Sequence, residues 1–377
     1  LTLISTKRRE DLAPQQRDQG QFSAEVDQDD AATLASRPPV WDARAIAQRL
    51  SGQFAGYGTD LKRSLFQLVT TGVPFLALLV IMGVTAEGMY WLTLLLAVPT
   101  AGLLVRLFIL QHDCGHGSFF RTRFANDMLG RALSVLTLTP YGLWKQGHAI
   151  HHATNGNLDR RGHGDIDTLT VREYEALSPV RKMAYRLYRN PFVMVLLGAP
   201  IHFIVMQRLP IGRKFRDRES RLSIVSNNLA LVVVFGLPVA LVGVMPVLTA
   251  YLPVMIIASW IGNWLFYVQH QFEDTYWEQD GEWNFHTAAI QGSSYFELPP
   301  ILRWFSGNIG LHHVHHMCSR IPNYRLQDCL DAVPELRGMA KRITLRESLK
   351  CWRLALWDEN RRMLVSFRDR ERPQAVG

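Results

Sequence analysis

Long apolar runs alternate with arginine-rich polar stretches, and four runs, at about 65–85, 90–110, 222–244 and 247–268, reach the roughly 20 residues a bilayer crossing needs. They are predicted to be helices, because a backbone in hydrocarbon must satisfy its N–H and C=O groups within its own segment. The runs form two close pairs joined by short turns, at 86–89 and near Met245, so two membrane hairpins are expected. Pro74, Pro99, Arg106, Asn227, Asn228 and Asn263 interrupt them. Proline is tolerated in membrane helices, and polar side chains there can face protein or snorkel. Core helices of a soluble protein are the competing reading, and the pairing argues against it.

Two shorter apolar stretches read as segments lying in the membrane interface. One, 191–206, contains Gly198, Pro200 and His202 and precedes Arg208, Arg213, Lys214, Arg216 and Arg218; the other, 128–143, is broken by Arg131. A fifth crossing at 191–206 would reverse the side on which everything after it lies.

The net charge of +8 is unevenly placed: both hairpin turns lack Lys and Arg, whereas 1–64, 111–221 and 271–377 are rich in arginine. The positive-inside rule then puts both termini and the middle segment in the cytoplasm. The basic balance is thus a matter of topology and calls for no nucleic-acid partner. The expected architecture is all-α: four transmembrane helices in two hairpins, with a helical cytoplasmic cap built from 111–221 and 271–377. Residues 1–40 read as a mobile polar tail with no secretory cleavage pattern, and 41–377 as a single membrane domain. Cys114, Cys318, Cys329 and Cys351 form no C-x-x-C pair and are expected to be reduced thiols.

Nine of the thirteen histidines cluster: His112 and His116; His148, His151 and His152; His270; and His312, His315 and His316. Residues three and four apart share a helix face, so each cluster turns its imidazoles the same way. Neutral imidazole ligates iron, copper, zinc and nickel. Nine such groups exceed what one ion uses, so a site for two metals is expected. All the clusters fall on the cytoplasmic side of the four runs. His112 and His116 directly follow the second run and His270 the fourth, as if those helices continued beyond the bilayer as rigid supports. His163, His202, His286 and His313 are read as ordinary core or surface residues. Asp113, Asp165 and Asp167, and after them Glu273 and Asp274, lie close enough in sequence to accept the second ring N–H of a ligating histidine. No Glu-x-x-His motif of the soluble di-iron bundles occurs.

The clusters stand as HDCGH (112–116), HAIHH (148–152) and HHVHH (312–316), and in this the chain resembles the integral-membrane fatty acid desaturases with their three histidine boxes. The resemblance runs from about 105 to 325 through QHDCGHGSFF, GHAIHHATNGNLDRRGHGDIDTLT, WLFYVQHQFEDTYW and GSSYFELPPILRWFSGNIGLHHVHHMCSRIPNYRL. It is nearest to the bacterial acyl-lipid enzymes of the delta-12/omega-6 and delta-5 kind. It implies two non-haem iron ions, dioxygen as co-substrate, and removal of two hydrogens from adjacent carbons of an acyl chain. The implied metal ligands are His112, His116, His148, His151, His152, His312, His315 and His316, with His270 as the additional one; His313 falls at a variable position.

An unactivated methylene needs a strong oxidant, which the cofactor supplies, while the protein supplies placement. Trp260, Trp264, Phe266 and Tyr267 are candidates for an acyl channel wall, with membrane packing as the alternative. Arg121, Arg123, Arg160, Arg161 and Arg303 could meet lipid headgroups or an acidic electron carrier, with topology alone as the alternative. No His-Pro-Gly-Gly haem motif of a fused cytochrome b5 occurs, so a separate ferredoxin-like or cytochrome b5-like donor is expected. The acyl carrier, a lipid or a thioester, stays open. The competing functions are a hydroxylase, ketolase or acetylenase on the same scaffold and, more remotely, a membrane metal-binding or transport protein.

Overall fold

The computed structural model describes residues 43–162, 164–209 and 217–371. The tail expected at 1–40, His163, and the basic residues Arg213, Lys214 and Arg216 lie outside the described residues. Helix α1 (Ala43–Phe54) precedes a first hairpin of α2 (Leu61–Thr85) and α3 (Tyr90–His116). The middle segment folds as α4 (Arg123–Leu136), α5 (Tyr141–Thr154), α6 (Val171–Glu175) and α7 (Pro179–Tyr188). A second hairpin follows, α8 (Arg218–Val242) and α9 (Val244–His270). The C-terminal segment carries α10 (Phe285–Gln291), α11 (Pro300–Phe305), α12 (His312–Met317), α13 (Asn323–Ala332), α14 (Leu336–Met339) and α15 (Leu345–Cys351).

Among the described residues, α2, α3, α8 and α9 are the four helices long and apolar enough to cross a membrane. Polar side chains start two of them: Asp60 accepts from the Arg63 N–H at 3.1 Å and Asp217 from the Ser220 N–H at 2.7 Å. One outward face of each hairpin is apolar and uncovered, with Val69, Val73, Val80 and Val84 on α2 and Leu229, Val232, Val233, Leu237 and Leu241 on α8. In water such faces would be a liability, whereas hydrocarbon solvates them, so the protein is integral to a membrane. The inward faces of α3 and α9 meet in one core that includes Leu104, Leu107, Leu110, Val254, Leu265 and Val268.

The second hairpin turns at Gly243, two residues earlier than the expected position near Met245. Gly243 has φ +85°, a conformation glycine takes without the Cβ penalty, and Pro246 then falls in the first turn of α9, where its missing N–H costs nothing. Arg106, the charged interruption of α3, is buried and donates to Thr71 Oγ1 at 3.1 Å, with its guanidinium 4.3 Å from the Trp304 ring. Its carrier helix thus faces protein there rather than lipid. The stretch 191–206 is one helical segment, its π-helical pieces Phe192–Gly198 and Ile201–Met206 joined through Ala199 and Pro200, and it is shorter than the roughly 20 residues a crossing needs. No fifth crossing therefore separates the histidine-bearing segments.

The cap adds short strands to the helical architecture. β1 (Leu169–Thr170), β4 (Leu354–Asp358) and β5 (Met363–Ser366) form one sheet, and β2 (Tyr295–Glu297) pairs in parallel with β3 (Arg342–Thr344). Segments of two to five residues are too short for alternation to register in the sequence. One of them delivers a histidine cluster: the Phe296 N–H donates to Gly310 O at 2.8 Å, two residues before His312. A Cβ at Gly310 would overlap the Phe296 carbonyl oxygen, which is backbone and cannot swing aside. Gly310→Ala is expected to destabilise the protein by about 1–3 kcal/mol through overpacking. Gly236→Ala, in α8 with open space around its Cβ, should be neutral or slightly stabilising. Thermal midpoints of the two variants check this, and equal midpoints would contradict it.

Candidate metal centre

Four elements bring the histidines to one place. Helix α3 ends on His112 and His116, closed by Gly117 in the left-handed conformation at φ +69°. His148, His151 and His152 occupy the last two turns of α5, His270 is the last residue of α9, and α12 carries His312, His315 and His316. The nine sort into two groups whose ring nitrogens lie within 4.8 Å of one another: His112, His116, His148, His152 and His315, and His151, His270, His312 and His316. The five-membered group is half open, with His116, His148 and His152 partly exposed, while all four members of the other group are buried.

Within each group the Nε2 atoms face one another. His148 stands 3.0 Å from His116 and 3.1 Å from His152, and His152 stands 3.1 Å from His315. In the other group His270 lies 3.1 Å from His151 and 2.9 Å from His312, with His316 3.1 Å from His312. Nitrogens each about 2.0–2.1 Å from a shared ion at right angles would be about 2.9 Å apart. The spacing therefore fits octahedral neighbours around one ion per group. His112 Nε2 is buried with no hydrogen-bond partner, as a nitrogen reserved for a ligand would be.

Three of the histidines have their Nδ1 atoms held from outside. His112 Nδ1 is 3.2 Å from Asp113 Oδ1, His151 Nδ1 donates to Asp165 Oδ1, and His270 Nδ1 donates to Gly292 O at 2.8 Å. Each contact fixes the tautomer that leaves the Nε2 lone pair free. One carboxylate thus backs each group. Asp113 is itself held by the Asn323 N–H and Nδ2 at 2.8 Å, and Asn323 exchanges hydrogen bonds with Gln67 on α2 at 2.9 and 3.1 Å.

Burial, and after it the neighbouring imidazoles, holds His148, His152, His312, His315 and His316 well below the ordinary histidine range. These rings stay neutral near pH 7, which is their ligand form.

The remaining candidates divide. Asp167 bonds no histidine: its backbone N–H donates to the Tyr188 hydroxyl at 3.2 Å, and burial raises its carboxyl. Asp274 pairs with Lys341 at 2.8 Å on the surface, and Glu273 contributes its backbone carbonyl to the Leu364 N–H. His313 Nε2 donates to Leu336 O at 3.0 Å, and His202 meets Gln207 at 2.9 Å. The four cysteines are free. Arg160 and Arg161 are paired with Asp280 and Glu173 at 2.9 and 2.6 Å, and Arg303 with Gln327 at 3.1 Å.

Of the aromatic residues singled out in α9, Phe266 reaches the site, its ring centre 5.4 Å from those of His151 and His270. The other three pack elsewhere: Trp260 donates to Leu196 O at 3.2 Å, Trp264 meets Trp352 at 5.5 Å, and the Tyr267 hydroxyl donates to Leu354 O at 2.8 Å. Two further aromatics join the site. Trp144 stacks on His148 at 4.7 Å, and Phe108 packs on Trp144 at 5.4 Å. A signal for them existed: Phe108, Trp144 and Phe266 each precede a clustered histidine by four residues, one helical turn.

Comparison with known proteins agrees with this geometry. Residues 89–345 match the family described as fatty acid desaturase. The chain is 44% identical over 322 residues to a fatty acid desaturase of Bacillus subtilis, covering 85% of this chain and 91% of that protein. It is 26% identical over 245 residues to an sn-1 acyl-lipid omega-3 desaturase (ferredoxin) of Synechocystis sp., covering 62% of this chain and 64% of that one. Over 230 residues it is 25% identical to an sn-1 oleoyl-lipid 12-desaturase of the same organism, covering 60% of this chain and 64% of the relative. With a match over most of its length and its histidine clusters gathered into two groups that can each hold a metal ion, the chain belongs to the membrane fatty acid desaturase family.

Proposed function

We propose that the nine clustered histidines hold two iron ions, His112, His116, His148, His152 and His315 one of them and His151, His270, His312 and His316 the other, and that the substrate is an acyl lipid. The observation that carries this reading is the convergence of nine imidazoles into a five and a four, each backed by one carboxylate. Iron with dioxygen would supply the oxidant that an unactivated C–H bond requires. The chain's own residues do the rest. Asp113 and Asp165 hold His112 and His151 in the ligating tautomer. Phe108, Trp144 and Phe266 give the site an apolar wall that keeps water from the reacting methylenes.

Electron balance calls for a donor. Reducing dioxygen to two waters takes four electrons; the two C–H bonds supply two, and two must come from outside with two protons. The donor in this reading is a separate ferredoxin-like or cytochrome b5-like protein, in keeping with the relative whose name specifies ferredoxin. The site faces the cytoplasmic side of a bacterial membrane, as the arginine-rich segments favour, with 41–377 as one domain.

The test is expression in a host lacking polyunsaturated lipids, with fatty acids profiled by gas chromatography–mass spectrometry. An acyl product lighter than its precursor by about two mass units is expected, since two hydrogens leave the chain. A product heavier by one oxygen would replace this reading with hydroxylation on the same scaffold.

A further inference from the structure

Arg189, the residue after α7, is 3% exposed, and its guanidinium serves five neutral acceptors. Nη1 reaches Asp167 O at 3.5 Å and Thr168 Oγ1 at 3.4 Å, while Nη2 reaches the Tyr267 hydroxyl at 3.3 Å, Gln271 Oε1 at 2.9 Å and Leu354 O at 2.9 Å. A cation buried among dipoles is a poor source of stability, because its desolvation offsets much of what the hydrogen bonds return. The acceptors suggest what it achieves instead.

Gln271 follows His270 in the chain, and Tyr267 precedes His270 by three residues on α9. Asp167 and Thr168 belong to the loop whose Asp165 receives the His151 Nδ1 proton. His151 and His270, the two histidines so supported, face each other at 3.1 Å in the four-membered group. Thr168 Oγ1 also meets Gln271 Oε1 at 3.3 Å, closing the loop onto the helix end beneath the guanidinium. Helix α7 holds the same loop at two more points, with the Leu169 N–H donating to the Tyr185 hydroxyl at 3.0 Å and the Asp167 N–H to the Tyr188 hydroxyl at 3.2 Å.

We infer that Arg189 is a positioning residue for the four-histidine group: its planar fork ties the end of α9 to the Asp165 loop, so that His151 and His270 are presented together to one ion. Lysine cannot take its place, since an ammonium offers a point charge where the guanidinium spans acceptors on two elements. The inference rests on the metal-centre reading, and the experiment separates the two.

The full-length protein, purified metal-free in detergent, is titrated with Co2+ and followed by stoichiometry and visible absorption. Wild type should bind two ions, and His270→Ala identifies the step belonging to the four-membered group by removing it. Arg189→Lys and Arg189→Gln are expected to weaken that step by about 10–100-fold, the range for outer partners of metal ligands, and to leave the other step in place. Asp165→Asn should weaken the same step. Tyr174→Phe, which loosens α7 by removing the 2.6 Å Arg186 contact without touching the Arg189 acceptors, should leave both steps intact.

Binding of both ions by the Arg189 variants as tightly as by wild type overturns the inference. So does an equal weakening of both steps that Tyr174→Phe reproduces at the same loss of thermal midpoint. If the Arg189 variants do not fold, Thr168→Val takes their place: a selective weakening of a few-fold is expected, and none overturns the inference. Fewer than two ions on wild type, or two undiminished steps in His270→Ala, defeats the metal-centre reading and the Arg189 inference with it.

Discussion

Replacing His315 by alanine is expected to lower the unsaturated product by about 100-fold or more, because even partners one step beyond a metal ligand cost 10–100-fold. His315 is 1% exposed, and its Nε2 lies 3.1 Å from that of His152. Alanine leaves no donor atom there. The bound metal should fall from two ions toward one. His313 supplies the contrast inside the same helix. It is equally buried, but its Nε2 is spent on Leu336 O at 3.0 Å and it belongs to neither group. His313→Gln keeps a donor for that carbonyl and should retain both ions and the product. Fatty-acid profiles and metal analysis of the two variants decide the matter. If His313→Gln lost product as completely as His315→Ala, the division of this cluster into ligands and scaffold would be wrong.

Acidifying the metal-free protein is expected to unfold it steeply below about pH 6.5, the ordinary histidine value. The sign follows from burial. In the folded protein His312, His315 and His316 are held well below that value, so they refuse protons that the unfolded chain accepts. Above about pH 6.5 both states carry neutral rings and stability is indifferent to these groups. As pH falls through that value the unfolded state gains protons and the folded state does not. Each ring so held makes stability fall as pH falls below that value, and the losses of the three add. Metal should move the transition to lower pH, because an ion bound to the neutral rings stabilises the folded state by mass action. Thermal midpoints of the metal-free protein recorded across this range test the claim; a flat profile would defeat it.

Much of the site could be read in advance because its parts are local. HDCGH, HAIHH and HHVHH each place imidazoles on one helix face, and Asp113 adjoins His112 in the chain. Asp165 and Asp167 were equivalent by position, and in a regular extended segment both would face one side, yet only Asp165 reaches a histidine, because the chain bends at Gly164 and Asp165. Trp144 and Phe108 carried a helical-turn spacing to their histidines that is meaningful only once the helix is known to face the site. Short strands such as β2 gave no periodic signal, although β2 positions Gly310 and with it α12.

By itself, the amino-acid sequence determined the four membrane-length helices, their pairing and the chemistry those imidazoles offer. These follow from hydrophobic length and residue type, both properties of contiguous chain. Only the tertiary structure decided how the nine divide. His148 and His152 go to one group and His151 to the other, although all three share a single turn and a half of α5. That partition depends on where α3, α9 and α12 approach α5, and on Arg189 and Asn323, which hold those elements from segments far away in sequence. Distances between remote segments are set by packing and by buried hydrogen bonds, and no local pattern records them.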